Sequence, residues 1–245
     1  MQTIHVFLNK YTQSLSMNFV IIVAAGTGSR MNSDLPKQFL DLNGTPVIMH
    51  TIDNFHQSSA IPEIILVISK EMEQFWTDLC LKQHYHTPVH LAFGGDTRFA
   101  SVKNGLEYIQ KNFELGTSDY IAVHDGARPI VSDSLIARAF QGAYTHKAIV
   151  LAQKSIESVR VGNSTSNSAT DRNHIWLVQT PQVFHADLLL QAYRQKEDPL
   201  FTDDASVVEK MGNRIAIVEG DAKNIKITYP QDLQIAQFYL NLIKK

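Results

Sequence analysis

Between Phe19 and Gln38 the chain reads FVIIVAAGTGSRMNSDLPKQ, and this stretch restricts the possible folds more than any other. Val20 to Val23, with Ala24, form a short run that is apolar at every position. Such a run suits a strand buried on both faces. It opens into Ala25, Gly26, Thr27 and Gly28, where small residues let backbone N–H groups come close to a bound group. Arg30 and Lys37 then supply two separated cations. A buried strand, a glycine-containing loop and spaced positive charges together suit a polyanion, above all the triphosphate of a nucleotide.

Downstream, strand and helix patterns alternate. Pro46 to Phe55 carries apolar residues at helical spacing, Ile64 to Ile68 is a second apolar run, and Glu71 to Lys82 reads as a helix over it. Val89 to Phe93 predicts a third strand ending on Gly94 and Gly95, Arg98 to Asn112 a helix, and Tyr120 to His124 a fourth strand. A DGARP turn and a helix from about Ser134 to Tyr144 follow. This alternation predicts an α/β fold, a doubly wound and mainly parallel sheet whose ligands gather at the carboxyl ends of the strands.

The rhythm breaks after Ala148 to Ala152. Residues 155–176 hold short β-like pieces around NSTSNSAT, too poor in apolar residues to add to a core, and are expected to form a projecting β-arm, about 153–177. Helices are expected at Ala186 to Gln195 and Asp203 to Met211, strands at Ile215 to Val218 and Ile225 to Thr228. A last helix from Pro230 places Leu233, Ala236, Leu240 and Ile243 on one face. With no repeat or linker, residues 17–245 are expected to form one domain, and residues 1–16 an extension outside it.

Composition excludes several classes. A formal net charge of -2 offers no broad attraction to nucleic acid or an anionic membrane. No run approaches the ~20 apolar residues of a membrane span. Cys80 is the single cysteine, which rules out an internal disulfide or a cysteine-based zinc cluster and fits a cytoplasmic location.

Each motif has a plainer reading beside the chemical one. Met31 stands where a dinucleotide fingerprint needs its third glycine, and no Gly-Lys-Ser/Thr run ends the loop, so both familiar phosphate loops fail. A glycine turn without a ligand remains the alternative, although Pro36 beside Lys37 favours a directed ammonium. GGDTRFAS (94–101) is either an ordinary turn with a helix cap or a place where Gly95, Asp96 and Ser101 meet a base and ribose. In VHDGARP (123–129), Asp125 follows a buried strand where α/β enzymes place a magnesium ligand, and Arg128 offers a fork to a phosphate; a surface Asp-Arg pair is the alternative. His124, pointing to the opposite face, reads as structural. Arg172 in the arm is either solvated or recruited to a site, and Lys226, alternating with Asn224 and Thr228, is either the polar side of an edge strand or a phosphate clamp.

Taken in order, AAGTGSRM, LPKQF, GGDTRFASV, VHDGARP, TDRNHIW with QTPQVF, FTDDAS and NIKIT closely resemble the 2-C-methyl-D-erythritol 4-phosphate cytidylyltransferases of the non-mevalonate isoprenoid pathway. The resemblance covers residues 20–228 and implies a Rossmann-like nucleotidyltransferase fold and a homodimer whose arms embrace. It implies transfer of CMP from CTP to a sugar-alcohol phosphate: a phosphate oxygen attacks the α-phosphorus and pyrophosphate leaves, with Mg²⁺ as cofactor. By the same carry-over Arg30, Lys37 and Lys226 are catalytic cations, and Ala24, Ala25, Gly26, Gly28, Gly95, Asp96 and Ser101 bind CTP. Asp125 is the metal ligand, and Arg128, Ser158, Arg172 and Thr202 bind methylerythritol phosphate, with Ser158 and Arg172 serving either their own site or that of the partner subunit. Gly126 stands where the family usually has alanine, at an expected cost in local rigidity, and Ser158 where threonine is common. The nearest rival, a ribitol 5-phosphate cytidylyltransferase, typically lacks the DRN segment leading to tryptophan, which here is Asp171 to Asn173 before Trp176.

Overall fold

The first apolar run forms β1 (Asn18–Ala24), whose side chains alternate between two cores. Val20, Ile22 and Ala24 enter one core, Phe19 and Ile21 the other, as the two-residue period of a strand requires. The computed structural model describes residues 16–26, 28, 31 and 35–243. The extension expected at 1–16 therefore lies outside the described residues except for Ser16, whose hydroxyl donates to the Ser118 carbonyl.

A two-strand hairpin of β2 (Asp41–Leu42) and β3 (Thr45–Pro46) leads into α1 (Val47–His56). Next come β4 (Glu63–Ile68), α2 (Glu73–Lys82), β5 (His90–Phe93), α3 (Arg98–Asn112), β6 (Tyr120–Asp125), α4 (Asp133–His146) and β7 (Ala148–Lys154). The arm is the hairpin β8 (Val159–Gly162) and β9 (Asn167–Thr170). The chain closes with β10 (Trp176–His185), α5 (Ala186–Ala192), α6 (Asp204–Glu209), β11 (Ala216–Glu219) and α7 (Pro230–Ile243).

Seven strands make one sheet in the order β11, β7, β10, β6, β1, β4, β5. All are parallel except β10, which runs antiparallel between β6 and β7. α1, α2 and α4 cover one face; α3, α5 and α6 cover the other. The chain winds outward from β1 to β4 and β5, then returns to β6 on the opposite flank of β1. The strand order therefore reverses between β1 and β6, which opens a crevice at their carboxyl ends. Register keeps those ends level: Val23 pairs with Val67 and Asp125, Ala24 with Ile68, and Ile68 with Phe93. The loops after β1, β5 and β6 thus emerge on one edge.

Four expectations need correction. The chain after Trp176 continues as the ten-residue strand β10, which its sequence conceals because Gln179, Thr180, Pro181 and Gln182 interrupt the apolar pattern. These polar side chains are buried but paired. Gln182 donates to Asp203 and accepts from the Ala205 amide, both at 2.9 Å. In the arm, the β-like pieces are expected around NSTSNSAT, but that polar stretch itself contributes β9, a strand exposed on both sides and therefore without alternation. Ile225 to Thr228 is no strand; it lies against the turn after β6, where the Ile227 amide donates to the Ala127 carbonyl at 2.9 Å. Ile243 is 59% exposed, whereas Ala236, Leu233 and Leu240 pack α7 against Met31, Leu42, Val47, Ala127 and Ile227. No helix among the described residues is long and apolar enough to cross a membrane.

Candidate active site

The crevice between β1 and β6 holds a cavity of about 460 Å³. Its lining includes Ala24, Ala25, Gly26, Gly28, Lys37, Gly95, Asp96, Ser101, Asp125 and Lys226, so ten of the residues singled out in the sequence converge here. Gln38, Thr97, Arg98, Ala127 and Thr228 complete much of the wall.

The first loop is fixed from below. Buried Gln38 donates to the carbonyls of Ala24 at 2.6 Å and Gly26 at 3.0 Å, which turns the loop's carbonyls inward. Gly28 adopts φ +70°, and a Cβ there would lie 3.0 Å from the Lys37 amide nitrogen and 3.3 Å from its Cγ. A side chain at this position would be strained and would push Lys37 away. The second loop seats Gly94 against the first: a Cβ on Gly94 would meet the Ala25 Cβ at 2.4 Å and the Ser101 Oγ at 2.7 Å. Ser101 accepts from the Gly95 amide at 3.2 Å and donates to the Thr97 carbonyl at 2.9 Å, so its hydroxyl holds the turn that presents Gly95 and Asp96. Thr97 caps α3 through the Ala100 amide.

Asp125, 8% exposed, ends β6 at the cavity floor. Its Oδ2 receives Arg128 Nε at 3.1 Å and Lys226 Nζ at 3.0 Å; its Oδ1 lies 3.9 Å from Arg98 Nε. Burial pushes its pKa up, but Lys226, Arg128 and Arg98 outweigh burial and hold it well below the usual carboxylate range. Arg128 also donates to the Asn224 carbonyl at 2.8 Å, tying the Lys226 segment to the β6 turn. Behind Asp125, the Thr180 hydroxyl accepts the Asp125 amide at 3.0 Å and faces His124 Nδ1 at 3.2 Å. His124 Nε2 faces the Arg128 carbonyl at 3.3 Å, an acceptor that requires the proton on Nε2, so the hydroxyl donates to Nδ1. Burial lowers the His124 pKa to about 3, which keeps the ring neutral. This bears out its structural reading.

Arg98 is the lining residue whose role was not legible. It forks onto buried Asp204 at 2.9 and 2.6 Å, and Tyr193 Oη donates to the same carboxylate at 2.6 Å. Burial works against the Arg98 charge, but Asp204 more than offsets it, and its pKa is raised. The carboxylate contributed by the FTDDAS motif was the available signal.

The remaining candidates lie elsewhere. Arg128 stands behind Asp125 and does not line the cavity. Ser158, Arg172 and Thr202 are exposed and line no part of it; Arg172 donates to the Ile156 carbonyl at 2.8 Å. Arg30 lies outside the described residues.

The described residues hold no cluster of three metal-ligating side chains. A divalent cation here would rest on one carboxylate and on ligand oxygens, the coordination that magnesium favours. Asp125 Oδ1, which accepts no hydrogen bond among the described residues, is placed to supply it.

The family model IspD, 2-C-methyl-D-erythritol 4-phosphate cytidylyltransferase, matches residues 18–242. A protein of that name from Bacteroides thetaiotaomicron is 46% identical over 221 residues, 90% of this chain and 98% of the relative. The solved structure of 4-diphosphocytidyl-2C-methyl-D-erythritol synthase from Anaerococcus prevotii superposes with a TM-score of 0.77 at 29% identity, covering 92% of this chain and 96% of that one. The Francisella tularensis 2-C-methyl-D-erythritol 4-phosphate cytidylyltransferase gives 0.73 at 31% identity, covering 91% and 100%.

Proposed function

The chain belongs to the 2-C-methyl-D-erythritol 4-phosphate cytidylyltransferase family, and from that premise we propose how its cavity performs the family's reaction. The enzyme transfers CMP from CTP to 2-C-methyl-D-erythritol 4-phosphate, giving 4-diphosphocytidyl-2-C-methyl-D-erythritol and pyrophosphate in isoprenoid precursor synthesis. The ribitol phosphate alternative is not favoured.

One observation carries the assignment of roles: a single crevice gathers Lys37, the two glycine loops, Asp125 and Lys226. The attacking phosphate oxygen is already anionic, so the reaction needs no general base. Its difficulty is the approach of two anions and the charge that builds on the pentavalent phosphorus. Ala24, Ala25, Gly26 and Gly28 offer a surface without side-chain bulk to the triphosphate, and Gly95, Asp96 and Ser101 shape the base and ribose end. Lys37, Lys226 and Arg30 draw the negative charge. Lys226 approaches from a segment locked to the β6 turn, so its ammonium is positioned before the substrate arrives. Asp125 would hold Mg²⁺, which when bound supplies further charge neutralisation to the phosphates.

Our reading makes the enzyme a homodimer through the arm. The hairpin adds nothing to any core, and Ile156, Val161, Leu177 and Val178 stand exposed on or beside it. Ser158, Arg172 and Thr202 then complete a methylerythritol phosphate pocket, with the arm residues reaching the partner subunit's cavity and Arg128 bracing Asp125 from behind. A cytoplasmic location accords with the single free cysteine.

Lys37→Ala and Lys226→Ala test the roles. Both variants are expected to fold normally, to keep most CTP affinity, and to lose ~10²-fold in turnover, as removal of one transition-state donor does. Wild-type turnover in either would reject the assignment.

A further inference from the structure

Among the described residues three cations surround Asp125, yet they do not treat its two oxygens alike. Oδ2 is saturated by Arg128 and Lys226 at hydrogen-bond distance, while Arg98 stops 3.9 Å short of Oδ1. Its other end explains the gap. Both terminal nitrogens of Arg98 are committed to Asp204, which is fully buried, sits at the start of α6, and is itself gripped by Tyr193. The Arg98 side chain is only 32% exposed, and Phe99 stacks on Tyr193 with centroids 4.7 Å apart, so the fork is held by packing on both sides. A fork onto a carboxylate fixes both the position and the plane of a guanidinium.

We propose that Asp204 is a positioning residue for the metal ligand: by tethering Arg98 it prevents the guanidinium from closing onto Asp125 and keeps Oδ1 open to a divalent cation. Among the described residues Asp125 is the nearest other carboxylate to Arg98, so an untethered guanidinium turns to it. Arginine and metal then compete for one oxygen. The inference rests on the assignment of Asp125 as the metal ligand above.

Calorimetric titration of CTP, without acceptor substrate, in Mg²⁺ and in EDTA separates the two claims. The ratio of the two dissociation constants measures what the metal adds to nucleotide binding. In the wild-type enzyme the metal is expected to tighten CTP. In Asp204→Asn the ratio should shrink ~10-fold or more, the usual loss when a group that orients a metal ligand is removed. In Arg98→Met with Asp204→Asn it should recover, because the competitor has gone. Tyr193→Phe loosens the tether while keeping the stacked ring; its smaller loss of ratio decides the matter if Asp204→Asn does not fold. An unchanged ratio in Asp204→Asn or Tyr193→Phe overturns the inference, as does a double variant no better than Asp204→Asn. A wild-type enzyme whose CTP affinity ignores Mg²⁺, or an Asp125→Asn variant that keeps the full ratio, overturns instead the metal assignment beneath it.

Discussion

One methyl group at Gly94 tests whether the two glycine loops must touch. In Gly94→Ala the new Cβ would stand 2.4 Å from the Ala25 Cβ and 2.7 Å from Ser101 Oγ. Apolar carbons rest about 3.5–4.0 Å apart, so the loops must separate by roughly 1 Å. Ala25 has no rotamer that moves its Cβ, and Ser101 rotates only by giving up its bonds to Gly95 and Thr97. Overpacking of this kind costs about 1–3 kcal/mol. For a chain of this size that lowers the melting temperature by about 3–10 °C. The larger effect is on rate, since a ~1 Å displacement at a reacting centre costs on the order of 100-fold. Gly26→Ala is the control: its Cβ meets nothing within 4 Å, so melting should not change, but the methyl enters the cavity and CTP should bind more weakly. Thermal melts and pyrophosphate release with CTP and methylerythritol phosphate measure both. A Gly94→Ala enzyme with wild-type melting and turnover would refute the claim that the loops need this contact.

Gly126 carries the same logic into the core. A Cβ there would lie 2.8 Å from Ile48 Cδ1, 3.1 Å from the Ala24 Cβ and 3.1 Å from the Val23 carbonyl, so in this chain the Ile48 methyl occupies the space an alanine would need. Gly126→Ala should cost about 1–2 kcal/mol alone and about 1 kcal/mol less in an Ile48→Val background; additive costs in denaturant titrations would contradict this. His124 sets an acid limit in the metal-free protein. Buried His124 stays neutral to about 3, whereas an unfolded histidine takes up its proton near pH ~6.5. The unfolded state thus binds more protons below that pH, and stability from this group is complete above it and falls by about 1.4 kcal/mol per pH unit beneath it. A His124→Gln variant whose stability falls as steeply as wild type between pH 6.5 and 5 would be inconsistent with that. Deleting residues 1–16 turns the Met17 amide, which donates to Asp119 at 2.8 Å, into an ammonium beside the same carboxylate, so activity and melting temperature are expected to be nearly unchanged. A large loss of either would give the extension a structural role.

Much of this architecture was legible because buried parallel strands are apolar at every position and end in glycine-bearing loops. β4 announces itself by its apolar run alone, β1 and β6 by the run and the glycine loop after it, and with them the edge on which ligands gather. β10 did not, since its middle is built from polar residues whose partners, Asp203, Ala205 and Asn224, come from remote segments. Nor does local pattern reveal that Ile225 to Thr228 docks on a turn and not on a strand. Lys226 was found through the resemblance, although its expected strand was not. Arg98 shows the limit most plainly: it lies within a recognised motif, but its partner Asp204 stands 106 residues away, and only the folded chain pairs them. Arg128 was legible as a charge beside Asp125 but not as a brace behind it, because burial decides which way a guanidinium faces.

The account stands or falls on the reaction itself. Purified enzyme with CTP, methylerythritol 4-phosphate and Mg²⁺ should release one pyrophosphate per 4-diphosphocytidyl-2-C-methyl-D-erythritol formed, far faster than with ribitol 5-phosphate or with UTP. Equal or faster release with ribitol 5-phosphate, or CTP binding without any product, would contradict it.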